Sequence, residues 1–150
     1  MAVETQYSLF LVNKPGVLAN ICKTLADHKI NIHAMTLVDS SEHGVLRLVV
    51  EDGARAAKAI NDLNLPTSKT DVLCVEMPNE PGSLATVAEK LAREHININY
   101  AYVTSGSRGG RTVCVLKVAD LKKAEKVLGE KGKQGSRDSG TLRSSPGSRR

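Results

Sequence analysis

The 150-residue chain is 41% hydrophobic and 25% charged, an ordinary globular composition that excludes collagen-like and wholly disordered proteins. No apolar run approaches the roughly 20 residues that a membrane span requires. The first residues also lack the basic and apolar regions of a secretory signal. We therefore expect a cytoplasmic protein that does not enter a membrane.

The net charge of +5 is concentrated at the end of the chain. Residues 131–150 contain six of the 21 basic residues and one of the 16 acidic residues. Residues 1–130 therefore contain 15 basic and 15 acidic residues. The basic segment is rich in Gly and Ser, the composition of a disordered tail. A nucleic-acid-binding protein would carry its positive charge on a folded face, so we do not expect a nucleic-acid partner.

The first half of the chain predicts three strands and two helices. Tyr7–Val12 is short, apolar and rich in strand-forming residues, and it ends at an Asn-x-Pro-Gly turn signal. From Leu18, apolar residues at i, i+3, i+4, i+7 and i+8 predict a helix with one apolar face. Asn31–Ser40 and Val45–Glu51 then predict strands joined by a hairpin, and a second helix follows Asp52, which is placed to cap it.

The second half repeats the first. Asn13–Ile32 and Asn79–Ile98 align without a gap at an offset of 66, and ten of the 20 positions are identical. The matching strands and capping residue are Asp71–Met77, Asn97–Ser105, Thr112–Val118 and Asp120. The order strand-helix-strand-strand-helix is most of a ferredoxin-like βαββαβ unit. We therefore predict an α+β fold of two such units in tandem, antiparallel sheets with their helices on one face.

The predicted organisation is a first unit at residues 1–66, a second at residues 67–130 and a disordered basic tail at residues 131–150. Leu65–Thr70 could supply the fourth strand of the first unit. The second unit runs straight into the tail, so it either lacks a strand or borrows an edge from its neighbour. Since a 60-residue unit buries only about 60% of its chain surface, we expect the two units to pack into one body.

The turn that precedes the first helix of each unit is the candidate ligand site. In Asn13–Leu18 and Asn79–Leu84, proline fixes φ and glycine permits close approach of the backbone. The first N–H groups of the helix carry a partial positive charge that suits a carboxylate. A strand-to-helix turn with nothing bound accounts for the same residues, and the spacing alone does not decide between the two.

The sequence Asn-x-Pro-Gly-x-Leu, a helix of about three turns and Ile-Asn-Ile entering a strand resembles the ACT domain, and it does so in both copies. ACT domains bind amino acids and regulate attached enzymes. The resemblance implies a stand-alone tandem ACT protein that binds an amino acid between units, forms a homodimer, regulates an unidentified enzyme, is not an enzyme itself and needs no cofactor. The alternative is an interaction module that dimerises without a small-molecule ligand.

The resemblance also implies the residues that contact the amino acid, namely the two turns and the two asparagines at the strand entries. They are Asn13, Pro15, Gly16, Val17, Leu18 and Asn31 in the first copy, and Asn79, Pro81, Gly82, Ser83, Leu84 and Asn97 in the second. The related ACT domains of a dehydrogenase have a histidine two residues before the loop asparagine, where this chain has Leu11 and Met77.

The remaining reactive residues show no catalytic or metal-binding spacing. The three cysteines lie within apolar patterns, so we expect buried hydrophobic side chains: Cys22, Cys74 and Cys114. Tyr100 and Tyr102 share one face of a strand, where we expect packing or a pocket wall rather than the base stacking of an RNA-binding sheet. No catalytic residue and no metal ligand are predicted.

Overall fold

The structure is a computed structural model that describes residues 1–39, 43–51, 53–105 and 110–129. Within these ranges the chain forms β1 (Ala2–Val12), α1 (Val17–Asp27), β2 (Ile32–Asp39), β3 (His43–Val50), α2 (Gly53–Asp62), β4 (Thr67–Pro78), α3 (Ser83–Arg93), β5 (Ile98–Ser105), β6 (Arg111–Val118) and α4 (Leu121–Gly129). The predicted tail, most of both predicted hairpin loops and the capping residue Asp52 lie outside the described residues.

The six strands form one antiparallel sheet in the order β2-β3-β1-β4-β6-β5. The first strands of the two units, β1 and β4, pair at its centre, with Leu9 opposite Thr67 and Ala2 opposite Cys74. The predicted tandem of ferredoxin-like units is confirmed, and the strands of the two units form a single continuous sheet.

The fourth strand of each unit lies in the two central strands. β1 begins at Ala2, earlier than the predicted start at Tyr7, and β4 begins at Thr67, so it joins most of the predicted fourth strand Leu65–Thr70 to the predicted strand Asp71–Met77. The early part of β4 pairs with β1 as the fourth strand of the first unit, and the early part of β1 pairs with β4 as that of the second. The second unit thus borrows an edge from its neighbour, which covers strand edges that would otherwise be open. Because both central strands are shared, the division at residues 66 and 67 stays a prediction.

The four helices cover one face of the sheet. Tyr7, Leu9 and Leu11 alternate along β1 and pack against Ile21 and Leu25 of α1. The second unit repeats this arrangement with Leu73, Val75 and Met77 of β4 and Val87 and Leu91 of α3. Since odd-numbered residues of β1 lie opposite odd-numbered residues of β4, both helix layers lie on the same side. Among the described residues, no helix has the length and apolar character to cross a membrane.

The other face of the sheet is curved inward. The edge strands β2 and β5 stand at opposite ends of the strand order and yet approach each other, so the sheet is rolled into an open barrel with the helices outside. The inward face has an apolar cluster drawn from both units, formed by Ala34, Val49, Val72, Cys74 and Val115 with Tyr102 and Val113 packed against it. This inward face is where the two units meet.

Candidate functional site

The two predicted turns adopt the same conformation. Gly16 has φ 91° and Gly82 has φ 89°, in the left-handed region that favours glycine, and each directly precedes a helix. A Cβ on either glycine would meet no neighbouring atom within 4 Å. The turns therefore require glycine for its backbone conformation. Lack of space for a side chain is not the reason, since no atom of the described part of the chain lies close to either position.

Part of the backbone at the turns already has partners. The Val17 N–H donates to the Lys14 carbonyl at 3.3 Å, and the Ser83 N–H donates to the Glu80 carbonyl at the same distance. Neither α1 nor α3 has a side-chain cap. The N–H groups of Val17 and Ser83 are therefore already used. A carboxylate bound at either turn would have to accept hydrogen bonds from the other N–H groups of the first helical turn.

The side chains of the predicted turn residues divide between core and surface. Val17 and Leu18 are partly buried and pack against the first hydrophobic core. Leu84, at the matching position to Leu18, is 47% exposed. Ser83 lines a groove of about 380 Å³ between β4 and α3. The exposed members of the two turns are Asn13, Pro15, Gly16, Pro81 and Gly82, and Asn79 is partly buried, its N–H donating to the Gly110 carbonyl at 2.9 Å.

Within each unit, the turn lies far from the strand-entry asparagine of the same unit. The first turn follows Val12 at one end of β1, whereas Asn31 shares a cavity with Glu4 near the other end. Val12 is the eighth residue after Glu4 along the strand, about 25 Å away at the usual rise per residue. In the second unit, seven residues of β6 separate the strand end beside Asn79 from the end beside Asn97, so the distance is similar. Neither unit thus brings its own turn and strand-entry asparagine together, whereas Asn31 lines one cavity with Glu76, three residues before Asn79 of the other unit.

Asn31 does line a cavity, of about 620 Å³, between the two units. The first unit contributes Asn31, Ile32, His33, Ala34 and Val49, the second contributes Cys74, Glu76 and Val113, and the shared start of β1 contributes Met1, Ala2 and Glu4. Ala34, Val49 and Cys74 are buried members of the inward-facing cluster. The cavity therefore combines an apolar wall with polar side chains from both units, the usual make-up of a small-molecule site.

The polar groups at this cavity are two carboxylates and an amide, with a guanidinium nearby. The Glu4 and Glu76 carboxylates can accept hydrogen bonds from an ammonium group, and the Asn31 amide can both donate and accept. Arg111 donates from Nε to Glu76 Oε2 at 3.1 Å, which brings an exposed guanidinium close to the lining. Such a group binds carboxylates well because its N–H donors match the carboxylate geometry. Apart from Asn31, these residues were not predicted.

The cysteine in the cavity wall is a neutral thiol. Burial raises the pKa of Cys74, and the hydrogen bond to the Glu4 carboxylate and the charge of Glu4 raise it further. Burial also raises the pKa of Cys114. The prediction of buried cysteines is confirmed for these two, whereas Cys22 is partly exposed. Because the thiolate is the reactive form, Cys74 contributes an apolar surface rather than a nucleophile.

The second unit has an equivalent of the cavity position beside Ala34, and a cluster of hydrogen-bonded side chains occupies it. Tyr100 corresponds to Ala34 at the offset of 66. The Gln6 Nε2 donates to Tyr100 Oη at 2.7 Å, and Tyr102 Oη donates to Gln6 Oε1 at 2.9 Å. The Arg47 guanidinium lies 4.1 Å from the centre of the Tyr100 ring. The two tyrosines thus pack and bond across the barrel, in agreement with the sequence prediction.

Comparisons with known proteins place these features in a family. The profile described as an ACT domain pair matches residues 1–138. Protein BT0572 from Bacteroides thetaiotaomicron has a crystal structure that superposes with a TM-score of 0.78 at 34% identity, covering 86% of this chain and 88% of that one. No curated protein sequence matches this chain.

Two further solved structures share the fold at lower identity. The regulatory subunit of aspartate kinase from Thermus thermophilus, in a ligand-free form, superposes with a TM-score of 0.62 at 16% identity, covering 85% of this chain and 93% of that one. The corresponding subunit from Thermus flavus gives a TM-score of 0.57 at 18% identity, covering 85% and 90% of the two chains.

Proposed function

The chain belongs to the ACT domain pair family, and we propose that it is a regulatory protein that binds an amino acid at the interface between its two ACT units. The observation that carries this proposal is the cavity of about 620 Å³ to which both units contribute. Regulatory subunits with this fold support a role in controlling an enzyme rather than in catalysis.

In this proposal the ammonium group of the amino acid lies near Glu4 and Asn31, which line the cavity together. Its carboxylate faces Arg111, the guanidinium beside Glu76. Its side chain packs on the apolar wall that contains Ala34 and Val49. Each end of the ligand thus has a partner of complementary charge, and the wall adds hydrophobic contact.

Binding in this position would act on the arrangement of the two units. Asn31 belongs to the first unit and Glu76 to the second, so a ligand between them gains all its contacts only in one relative placement. A ligand shifts an equilibrium by its difference in affinity for the two states, and contacts to both units supply that difference. The proposal thus includes a mechanism by which an enzyme partner would sense the bound amino acid.

We further propose that the two turns lie in the interface of a homodimer. In that interface, a turn of one copy can approach a strand-entry asparagine of the other copy. Val12 precedes the first turn and Leu84 is the last residue of the second, and these large apolar residues are 46% and 47% exposed. Exposed apolar residues of this size often mark an interface. Light scattering should give the mass of two chains, and the double variant Val12→Glu/Leu84→Glu should give the mass of one. A single-chain mass for the unaltered protein would remove this part of the proposal.

The ligand is tested by thermal denaturation in the presence of each of the twenty standard L-amino acids. A site filled at 100 times the dissociation constant adds about 2.7 kcal/mol of stability, which raises the melting temperature by several degrees. If none of the twenty changes the melting temperature at millimolar concentration, the interaction module without a ligand becomes the better interpretation.

The position of the ligand is tested by calorimetry on Asn31→Ala. Loss of one hydrogen bond, worth about 0.5–1.5 kcal/mol, should weaken binding by about 2- to 12-fold. Asn20→Ala is the matched control, because Asn20 is an exposed asparagine on α1 that does not line the cavity. Equal affinity of the two variants would place the ligand elsewhere.

A further inference from the structure

We infer that the two repeats provide one open inter-unit site and one closed one, and that the residue pair Ala34 and Tyr100 decides which is which. As a site for an amino acid this inference rests on the proposed function. Its structural content, an open cavity beside Ala34 and a position closed by Tyr100, does not.

The repeat defines the two positions residue by residue. At the offset of 66, Ala34 corresponds to Tyr100 and Ser8 corresponds to Cys74. Ala34 and Cys74 line the open cavity, so Tyr100 and Ser8 mark the equivalent position on the other side of the barrel. The backbone is duplicated there, since Ala34 lies opposite Val49 just as Tyr100 lies opposite Lys117.

Large polar side chains close the second position. Gln6 is fully buried and donates from Nε2 both to Tyr100 Oη at 2.7 Å and to Ser8 Oγ at 3.4 Å. The Arg47 guanidinium lies over the Tyr100 ring at 4.1 Å from its centre. Ser8, in the place that Cys74 takes in the open cavity, is 5% exposed and lies beside this cluster. The Tyr100 ring thus stands where a ligand would have to enter.

The open position has small or apolar residues at every corresponding place. At the offset of 66, Tyr100, Tyr102 and Gln6 match Ala34, Thr36 and Val72 in the other repeat. After the hairpin the offset is 68, so Arg47 matches Val115. None of these four side chains can reach across the barrel with a ring or a guanidinium. The two positions therefore differ because of their side chains, while the strands that hold them are equivalent.

Labelling of cysteine thiols with methylmercury hydroxide, a small reagent that replaces the thiol proton and releases water, tests the structural part without any ligand, because its reaction with the neutral Cys74 thiol depends on access to the sulfur. We expect Ala34→Tyr to place a ring in the cavity and slow the labelling of Cys74 by about tenfold or more, because the thiol would then react only after local opening. Met35→Tyr is the matched control, since Met35 is exposed on the opposite face of the same strand. Cys114, fully buried on the helix side, serves as the unreactive reference in the same protein.

The reciprocal experiment opens the closed position. A cysteine introduced by Ser8→Cys should label slowly, and Tyr100→Ala should raise its labelling rate by about tenfold or more, whereas Tyr100→Phe should leave it slow. If Tyr100→Ala does not fold, Ala34→Tyr decides the inference alone. Unchanged labelling of Cys74 in folded Ala34→Tyr, or of the introduced cysteine in folded Tyr100→Ala, would overturn it.

Calorimetric titration then measures how many amino-acid molecules bind to each chain. The probe is the L-amino acid that gives the largest thermal shift. One molecule per chain in the unaltered protein and none in Ala34→Tyr are expected, with binding retained in Met35→Tyr. Two molecules per chain would overturn the inference while leaving the proposed function in place. Absence of binding by all twenty amino acids would reject the proposed function, and the labelling rates would still decide the inference.

Discussion

Replacing Gln6 with leucine should destabilise the protein more than removing the whole polar cluster around it. Gln6 is fully buried, and its amide bonds the hydroxyl groups of Tyr100 at 2.7 Å and Tyr102 at 2.9 Å. Leucine leaves both hydroxyl groups without their partner, and each unpaired group costs roughly 1–3 kcal/mol when buried. Because both tyrosines are partly exposed, we take the lower end, about 2 kcal/mol in total.

The triple variant Gln6→Leu/Tyr100→Phe/Tyr102→Phe removes the donors and the acceptors together, so its stability should lie within about 1 kcal/mol of the unaltered protein. Urea denaturation followed by circular dichroism measures both variants, and the single variant should shift the midpoint by about 1 M. Asn20→Leu, on the exposed face of α1, controls for the added leucine. A triple variant less stable than Gln6→Leu would refute the reasoning, because the hydroxyl groups would then stabilise the fold without Gln6.

Four further outcomes follow from the geometry. Burial holds the pKa values of Cys74 and Tyr102 above their ordinary 9.0 and 10.0, so the folded state keeps protons that the unfolded chain releases. Stability should therefore be complete below about pH 9 and should fall as the pH rises further, which urea midpoints between pH 8 and pH 10.5 would show. Gly16→Ala should cost about 1–2 kcal/mol because of the left-handed φ, and Gly16→Asn should cost less, in the same assay. Asp120→Ala removes the hydrogen bond that the Lys123 N–H donates to Asp120 Oδ1 at 3.0 Å and should cost about 1 kcal/mol in thermal denaturation. Truncation after Glu130 should leave the melting temperature unchanged, and a large drop would show that the removed residues pack on the body.

The local elements could be predicted from the sequence because their signals are local. The spacing of Leu18, Ile21 and Leu25 requires only that one side of a helix be apolar, and these residues do face the first core. The Pro-Gly turns likewise have their conformation fixed by their own residues. The repeat supports these predictions independently, because each pattern occurs in both copies.

The central pairing could not be predicted from the same signals. Ala2–Thr5 becomes a strand because it lies beside Asp71–Cys74, a partner about 70 residues away that no local pattern identifies. The register of this pair places Glu4 and Cys74 together in one cavity wall. The inter-unit cavity is a product of this register, and for that reason most of its residues were missed. The one available signal was the difference between Ala34 and Tyr100 in the aligned repeats.

Because the unit is duplicated, the barrel contains two equivalent positions. One is closed by bonded side chains and the other is open. Where Gln6 joins Tyr100 and Tyr102, bonded side chains connect the shared β1 to β5 of the second unit. On the other side, Ala34 leaves space that a small molecule with two charged ends can fill. In the proposed function, a bound amino acid supplies on the open side the contacts that Tyr100 supplies on the closed side. Because the closed side is already bonded, only occupancy of the open side distinguishes two states in the proposed function, which is the differential response that a regulatory module needs.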